Sequence, residues 1–388
     1  MVLYRCINHV PPVQGYYQGG SKNCCGTLED RRSKMYLKML SFFRSTIITG
    51  QDTGSQLRLG IDTHDSLPIQ IGWNLSVKKI DSFFESQDTR GYKFEIDPKG
   101  NVFIVEMEGT VHCSVVKRLT KYFDVPNGAE ADDPPIDVMG AASKKNSFGS
   151  LSLVISFIIF SCPIIEHYQP NGAGTPSAPD IAIYPGLTVV PIPPIPAPPP
   201  PRRFRSPRPS RHLEIPPVDL SGRTHARIMC EIAVLQSYSD WDAKCRRWML
   251  QQYVRCVFGV KIYRPRPTRN ANGQFDRCMI ARLWTRQTAP VPERYTAVAG
   301  QVGVYYEEWN FGTVDYYLGV PTACTRPGLA NYRVSIPTEN VFWNPPVVGG
   351  VPATVGYTIT VPRAVTAPNF IIDLFQIQHQ ILVNQINQ

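Results

Sequence analysis

Residues 226–249 read ARIMCEIAVLQSYSDWDAKCRRWM. Ala226 to Leu235 is a near-continuous apolar run with one acid, Glu231, in its middle, the pattern of a strand buried on both faces. Ser239 is expected to cap a helix, in which Trp241, Cys245, Trp248, Met249, Gln252 and Cys256 recur at i, i+3 and i+4 spacing. Lys244, Arg246, Arg247 and Arg255 supply its charged flank. Phe258 to Tyr263 reads as the next strand, and Arg277 to Trp284 as another after an Asn272-Gly273 turn. Buried strand, helix and further strands in that order predict an α/β core with a mixed central sheet flanked by helices.

Upstream, Tyr92 to Asp97 alternates, Asp97-Pro-Lys-Gly100 is a turn, and Asn101 to Met107 is β-rich, which together predict a hairpin. A helix follows from His112 to Phe123, with Val115, Val116, Leu119 and Phe123 on its apolar face. Asp180 opens a short strand to Tyr184 directly after Pro179. Residues 1–90 carry one plausible helix near Arg32–Phe43 and no motif with a chemical reading, and residues 91–290 form the expected core domain. It holds insertions at about 141–170, which includes the apolar run Leu151–Phe160, and a Pro/Arg-rich loop at about 186–218. Pro198 to Pro201 in a row favour polyproline II over sheet in that loop. Residues 291–388 are read as a β-rich C-terminal extension, closing with an apolar segment Phe370–Phe375 that docks on the core.

The composition bounds the classes of function. The 388 residues are 43% hydrophobic and 18% charged, with 17 Phe and 18 Tyr, which excludes a wholly disordered chain and a coiled coil. A net charge of +9 favours an anionic partner, nucleic acid or an acidic membrane surface. The run Leu151–Phe160 is far below the roughly 20 apolar residues of a membrane-spanning helix, and the N-terminus lacks the apolar stretch of a secretory signal. An intracellular protein, cytoplasmic or nuclear, is therefore expected, with no membrane partner. The ten cysteines form no CxxC pair and read as reduced, buried thiols.

Three residues put an ionisable group at the edge of a buried element: Asp180, Glu231 and Lys244. A carboxylate within an apolar strand is costly unless paired or holding a metal, and Lys244, one turn into its helix, has the reach to return to the strand ends. Two carboxylates plus a lysine are the minimal kit for metal-dependent phosphodiester hydrolysis. The acids hold the ion, and the lysine positions water or stabilises charge. Each also has a plainer reading: Asp180 as a turn acid, Lys244 as a solvated helix lysine, His112 as a structural histidine.

At these residues the chain resembles the PD-(D/E)XK nuclease-like superfamily, in its restriction-endonuclease branch known as Uma2. The resemblance is carried by Pro179-Asp180 on one strand, Glu231-Ile-Ala-Val on the next, Asp240-x3-Lys244 on the helix and Gly259-Val-Lys-Ile-Tyr263 on the following strand. Glu95, Gly100 and His112 match the branch's opening hairpin and first helix, so that the likeness covers about residues 90–290. It implies a restriction-endonuclease-like fold and a Mg²⁺- or Mn²⁺-dependent endonuclease acting on nucleic acid, DNA ahead of RNA. The metal would be held by Asp180, Glu231 and Ile232, with Lys244, Glu95 and His112 assisting. Two features depart from the pattern: Ile232-Ala233 stands where Glu-x-Lys would place a lysine, so that role migrates to Lys244, and the Asp180 to Glu231 spacing is long. Arg202, Arg203, Arg205 and Arg208 in the Pro/Arg loop, with Arg246 and Arg247 on the helix, are candidate phosphate contacts. The resemblance also allows a homodimer, without marking an interface. The alternatives are a catalytically inactive nuclease-like fold that binds nucleic acid or protein, and an adaptor whose Pro/Arg tract is the working part.

Overall fold

The computed structural model describes residues 68–76, 79, 92–97, 99–107, 109–128, 132–140, 179–191, 223–287, 291–348 and 351–385. All of these belong to the unit Ser55–Gln388. The expected helix near Arg32–Phe43, the apolar run Leu151–Phe160 and the arginines of the Pro/Arg tract lie outside the described residues.

Strands β1 (Ile69–Gly72), β2 (Tyr92–Ile96) and β3 (Val102–Met107) form a small antiparallel sheet in the order β1-β3-β2. The β2–β3 hairpin turns where expected, because Asp97 Oδ1 accepts from the amides of Lys99 and Asn101 and Gly100 takes a φ of 78°. Helix α1 (Thr110–Asp124) follows, burying Val111, His112, Val115, Val116, Leu119 and Phe123.

The central sheet has seven strands: β4 (Ile136–Gly140), β5 (Ile181–Pro185), β6 (Ile228–Ala233), β7 (Cys256–Arg269), β8 (Phe275–Arg286), β9 (Thr296–Ala297) and β10 (Val304–Asn310). Their order is β4-β5-β6-β7-β8-β10-β9. Every neighbouring pair is antiparallel except β6 and β7, which are parallel. A parallel pair needs a crossover, and helix α2 (Tyr238–Met249) provides it. The architecture is thus mixed α/β with few helices.

Alternation along the strands sends side chains to opposite faces. Ile181, Ile183, Ile228, Cys230, Ile232, Phe258 and Val260 pack with Val115 and Leu119 of α1. Ala182, Tyr184, Met229, Ala233, Val257 and Trp284 pack with Trp241, Cys245 and Trp248 of α2. Covered on both faces, β6 is buried at all six positions, which explains its unbroken apolar reading.

The boundaries of α2 differ from expectation. Its N-cap is Ser237 and not Ser239: Ser237 Oγ accepts from the Asp240 amide at 3.1 Å while also donating to the Asp240 carboxylate. Ser239 lies two residues later, inside the helix, where its hydroxyl has no orphan amide of this kind to satisfy. The helix stops at Met249, so Gln252 and Cys256 are not on it and Cys256 begins β7. Ser237→Ala is expected to cost about 1 kcal/mol of unfolding free energy, and urea denaturation showing an unchanged midpoint would contradict the cap.

Beyond residue 290 the chain supplies β9 and β10, then β11 (Arg333–Pro337), a short β12 (Val347–Val348) and β13 (Val351–Pro352) pair, β14 (Asn369–Asp373) and helix α3 (Leu374–Asn384). Strand β14 pairs with β11, and α3 packs against α1. The sequence did not indicate α3. Gln378 sits on its buried side, donating to the carbonyls of Phe311 and Cys324, so the apolar stripe is interrupted by an amide that works inside the core. Among the described residues no helix is long and apolar enough to cross a membrane.

His225, just before β6, is buried with Nδ1 donating to the Ala226 carbonyl. Burial, with the neighbouring Arg227 charge as a smaller cause, lowers its pKa to about 4 from an ordinary 6.5. A histidine depressed in the fold is neutral there at pH 7, and its protonation favours the unfolded chain. Stability should therefore fall as pH drops from about 6.5 towards about 4, at up to about 1.4 kcal/mol per pH unit from this group. Denaturant titrations at several pH values should show that slope in the wild type and a shallower one in His225→Gln; equal slopes would contradict the assignment.

Candidate active site at the Asp180 and Glu231 strands

The four sequence segments that carry the functional reading fall on consecutive elements. Asp180 is the bend that precedes β5, Glu231 lies inside β6, Lys244 is on α2, and Gly259 stands opposite Glu231 on β7. Strands β5 and β6 are neighbours although a long stretch of chain separates them, which costs little because loop-closure entropy grows slowly with length.

Asp180 lies alongside Glu231. Its amide donates to the Cys230 carbonyl at 3.0 Å, and its Oδ2 accepts from the Ile232 amide at 2.6 Å, so it grips both chain neighbours of Glu231. The carboxylate thereby continues the β5–β6 ladder past the end of β5. Its Oδ1 is 3.4 Å from Nε2 of His112 on α1, and both side chains are 2% exposed. Ile232 thus joins the site through its backbone amide.

Glu231 points to the other face, under α2. Lys244 Nζ donates to Oε2 at 2.9 Å and Trp248 Nε1 to Oε1 at 2.6 Å. Lys244 and Trp248 are one helical turn apart and so share the face of α2 that looks down on the strand. Lys244 is therefore a buried ion-pair partner, with its side chain 3% exposed, and not part of a solvated flank. Both carboxylates bear on the sulfurs nearby: burial first, then Asp180 and Glu231, push the Cys230 thiol well up, and burial followed by Glu231 does the same at Cys245. These thiols are neutral core groups, in keeping with the six free cysteines described.

Gly259 has no room for a side chain. A Cβ there would lie 2.6 Å from Cζ2 of Trp241 and 2.8 Å from Cζ3 of Trp284, so the glycine lets these two rings close over the strand beside Glu231. Continuing across the sheet, Gly259 stands opposite Arg282 on β8, and Arg282 opposite Glu308 on β10. Arg282 reaches Asp242 of α2 at 2.6 Å and Glu308 at 2.5 Å. It lies over the rings of Tyr238 and Tyr306. Two ion pairs thus hold α2 to the sheet, the buried Glu231–Lys244 and the part-buried Asp242–Arg282. The second pair was not singled out from sequence, although Arg282 interrupts the apolar run of β8 as Glu231 interrupts β6.

The remaining candidates are spread more widely. Glu95 is on β2, opposite Phe103, in the small sheet and not the central one. Arg246 is part-exposed and donates to the Ala299 carbonyl, and Arg247 is part-exposed in the last turn of the same helix. Arg202, Arg203, Arg205 and Arg208 lie outside the described residues.

No protein-family model matches the chain, and no curated protein matches it.

The resemblance to metal-dependent nucleases raises the question of whether this pocket of charge suits Mg²⁺. The donor chemistry suits it, since carboxylates are hard oxygen ligands of the kind Mg²⁺ takes, but the placement does not: Asp180 is held by the Ile232 amide beside His112 of α1, while Glu231 faces α2 and is held by Lys244 and Trp248. An oxygen that accepts one hydrogen bond retains a second lone pair. Among the described residues there is no cluster of three or more His, Cys, Asp and Glu placed to hold an ion.

Proposed function

We propose that this protein is a metal-dependent nuclease with a restriction-endonuclease-like core, hydrolysing nucleic-acid phosphodiesters. The observation that carries the reading is that Asp180 bonds the backbone on either side of Glu231 while Lys244 pairs with the Glu231 carboxylate, so that all three bear on one buried stretch of β6. The succession β5, β6, α2 and β7 supports it further, since the four resembling segments fall on those elements in that order. In this reading Asp180 and Glu231 would hold Mg²⁺ or Mn²⁺ only once one of the two carboxylates has turned from its present partners, and the ion would then supply charge to the phosphate and acidity to a water. Lys244, held by Glu231, carries the positive charge that can stabilise the oxyanion as it forms. His112, beside Asp180, fixes that carboxylate and belongs to the support of the site. DNA is the preferred substrate, with RNA second.

A second reading is a silent nuclease-like fold that only binds. It is favoured by the 2–3% exposure of the three side chains and by the way Lys244 and Trp248 both donate to Glu231.

Incubation of purified protein with plasmid, single-stranded DNA and RNA, with Mg²⁺ or Mn²⁺, distinguishes them. Cutting should occur and should vanish in Asp180→Asn, whose circular dichroism should match the wild type. Salt-sensitive binding without cutting in the wild type would refute the nuclease and leave the binding module.

A further inference from the structure

A row of three arginines crosses the sheet near the start of β6, outside the site above. Arg227 precedes β6, Arg255 precedes β7 and Arg286 ends β8, and their backbones are directly bonded: Arg255 N to Arg227 O at 2.7 Å, Arg286 N to Arg255 O at 3.3 Å. No carboxylate among the described residues pairs with any of them.

The three are satisfied very differently. Arg227, 0% exposed, has its Nε 2.6 Å from the Trp343 carbonyl, further bonds to His225, Thr224 and Asn344, and the Tyr253 ring 4.7 Å below. Arg286 donates to the carbonyls of Val254, Met249 and Gln251, the last two at the C-terminal end of α2. Arg255 lies over Trp343, its Cζ 4.5 Å from the ring centre, and its Nε is buried without an acceptor. Beside it Tyr253, whose ring meets Trp343 at 5.4 Å, has a buried hydroxyl also without a partner. Burial depresses Arg227 and Arg286, and the charge of Arg255 depresses both further.

A guanidinium with an orphaned buried donor, next to an orphaned hydroxyl and two like charges, lacks an anion. We propose that Arg255, with Arg227 and Arg286 behind it, forms an oxyanion site that takes a phosphate group. The planar fork of Arg255, lying over Trp343, suits two oxygens of a tetrahedral anion, and Arg227 and Arg286, held by carbonyls, provide attraction with no strong anion of their own. Trp343 is itself buried, so the site offers an arginine over the ring and no open ring face for a base. The proposal stands whether or not the protein cuts nucleic acid.

Equilibrium dialysis of the full chain against radiolabelled orthophosphate, at ionic strength fixed with chloride, tests it. The wild type should take up one saturable equivalent, displaced by sulfate. Arg255→Gln should bind roughly tenfold more weakly or worse, as expected for loss of a charge-assisted hydrogen bond. Arg255→Lys, which keeps the charge without the fork, should fall between, and Arg269→Gln, on the exposed β7–β8 hairpin, should bind as the wild type. Absence of saturable uptake by the wild type overturns the proposal even if a variant fails to fold, and so does equal binding by a folded Arg255→Gln. A single-stranded oligonucleotide added to the dialysis identifies the source of the phosphate. Displacement of orthophosphate means a nucleic-acid backbone fills the site, and undiminished uptake means a free phosphate or small phosphate ester does.

Discussion

Lys244→Met should lower the free energy of unfolding by about 3–5 kcal/mol at pH 7, the usual cost of removing one partner from a buried ion pair. The cause is the carboxylate left behind. Glu231 would remain 3% exposed beneath α2, still accepting from the Trp248 indole but without the ammonium that matches its charge, and burying that charge unmatched is what costs stability. Glu231→Gln is expected to be costly as well, because it strands the ammonium of Lys244 and leaves Trp248 with an amide where a carboxylate stood. The double variant Glu231→Gln/Lys244→Met should be more stable than the sum of the two losses predicts, by about 1–3 kcal/mol. Urea titrations of the four proteins at pH 7 and pH 5 provide the measurement. Single losses under about 1 kcal/mol would mean that the pair is solvated and not the buried contact described.

Gly259→Val is the second large effect. Even a Cβ would intrude on Trp241 and Trp284, whose rings are both fully buried, and the two further methyl groups of valine have nowhere to go. Overpacking usually costs about 1–3 kcal/mol and occasionally more; here rigid indoles on both sides place it at the upper end. Trp241 belongs to the same helix as Lys244, so a shift of that ring moves α2 relative to β6. On the nuclease reading proposed above, the variant should therefore lose activity beyond what its reduced folded fraction explains. Gly259→Ala should show a smaller loss of the same kind. A Gly259→Val protein with wild-type unfolding midpoint would show that the rings can move apart freely.

Much of the core could be read from the chain because burial leaves a simple signature there. The run around Glu231 reads as a strand covered on both faces, and the strand is buried throughout. The alternation and turn at Asp97–Gly100 read as a hairpin, and Gly100 adopts the left-handed conformation that the turn requires. The reach of Lys244 back to the strand was likewise foreseeable from its place on the helix. What spacing could not give was the partner of each group. Trp248 reads as a core aromatic, which it is, but its N–H also anchors Glu231. His112 and Asp180 are brought together only by the docking of α1 on the sheet, and nothing local to either residue announces it. Ser237 and Ser239 differ by two positions, and only the geometry of the Asp240 amide decides between them. The arginine row is hidden for a related reason: Arg227, Arg255 and Arg286 each look like ordinary charges at strand ends until the sheet sets them side by side.

The sheet is assembled from pairings of very unequal reach, and that fixes the order in which it can form. Strands β7 and β8 are joined by the short turn Asn270–Gly273, with Gly273 at a φ of 75°, so they can zip together within one local event. The contact from Asp180 to Ile232 spans 52 residues of chain. Long-range contacts of that kind form late, because the chain's entropy must be given up before they return anything. The β7–β8 hairpin and its α2 cover are thus the natural folding nucleus, and β5 arrives afterwards as an addition to the exposed side of β6. Each newly made molecule would then pass through a stage in which Glu231 and Lys244 are already joined while Asp180 has yet to dock, so the charged centre is completed only after the hairpin beside it.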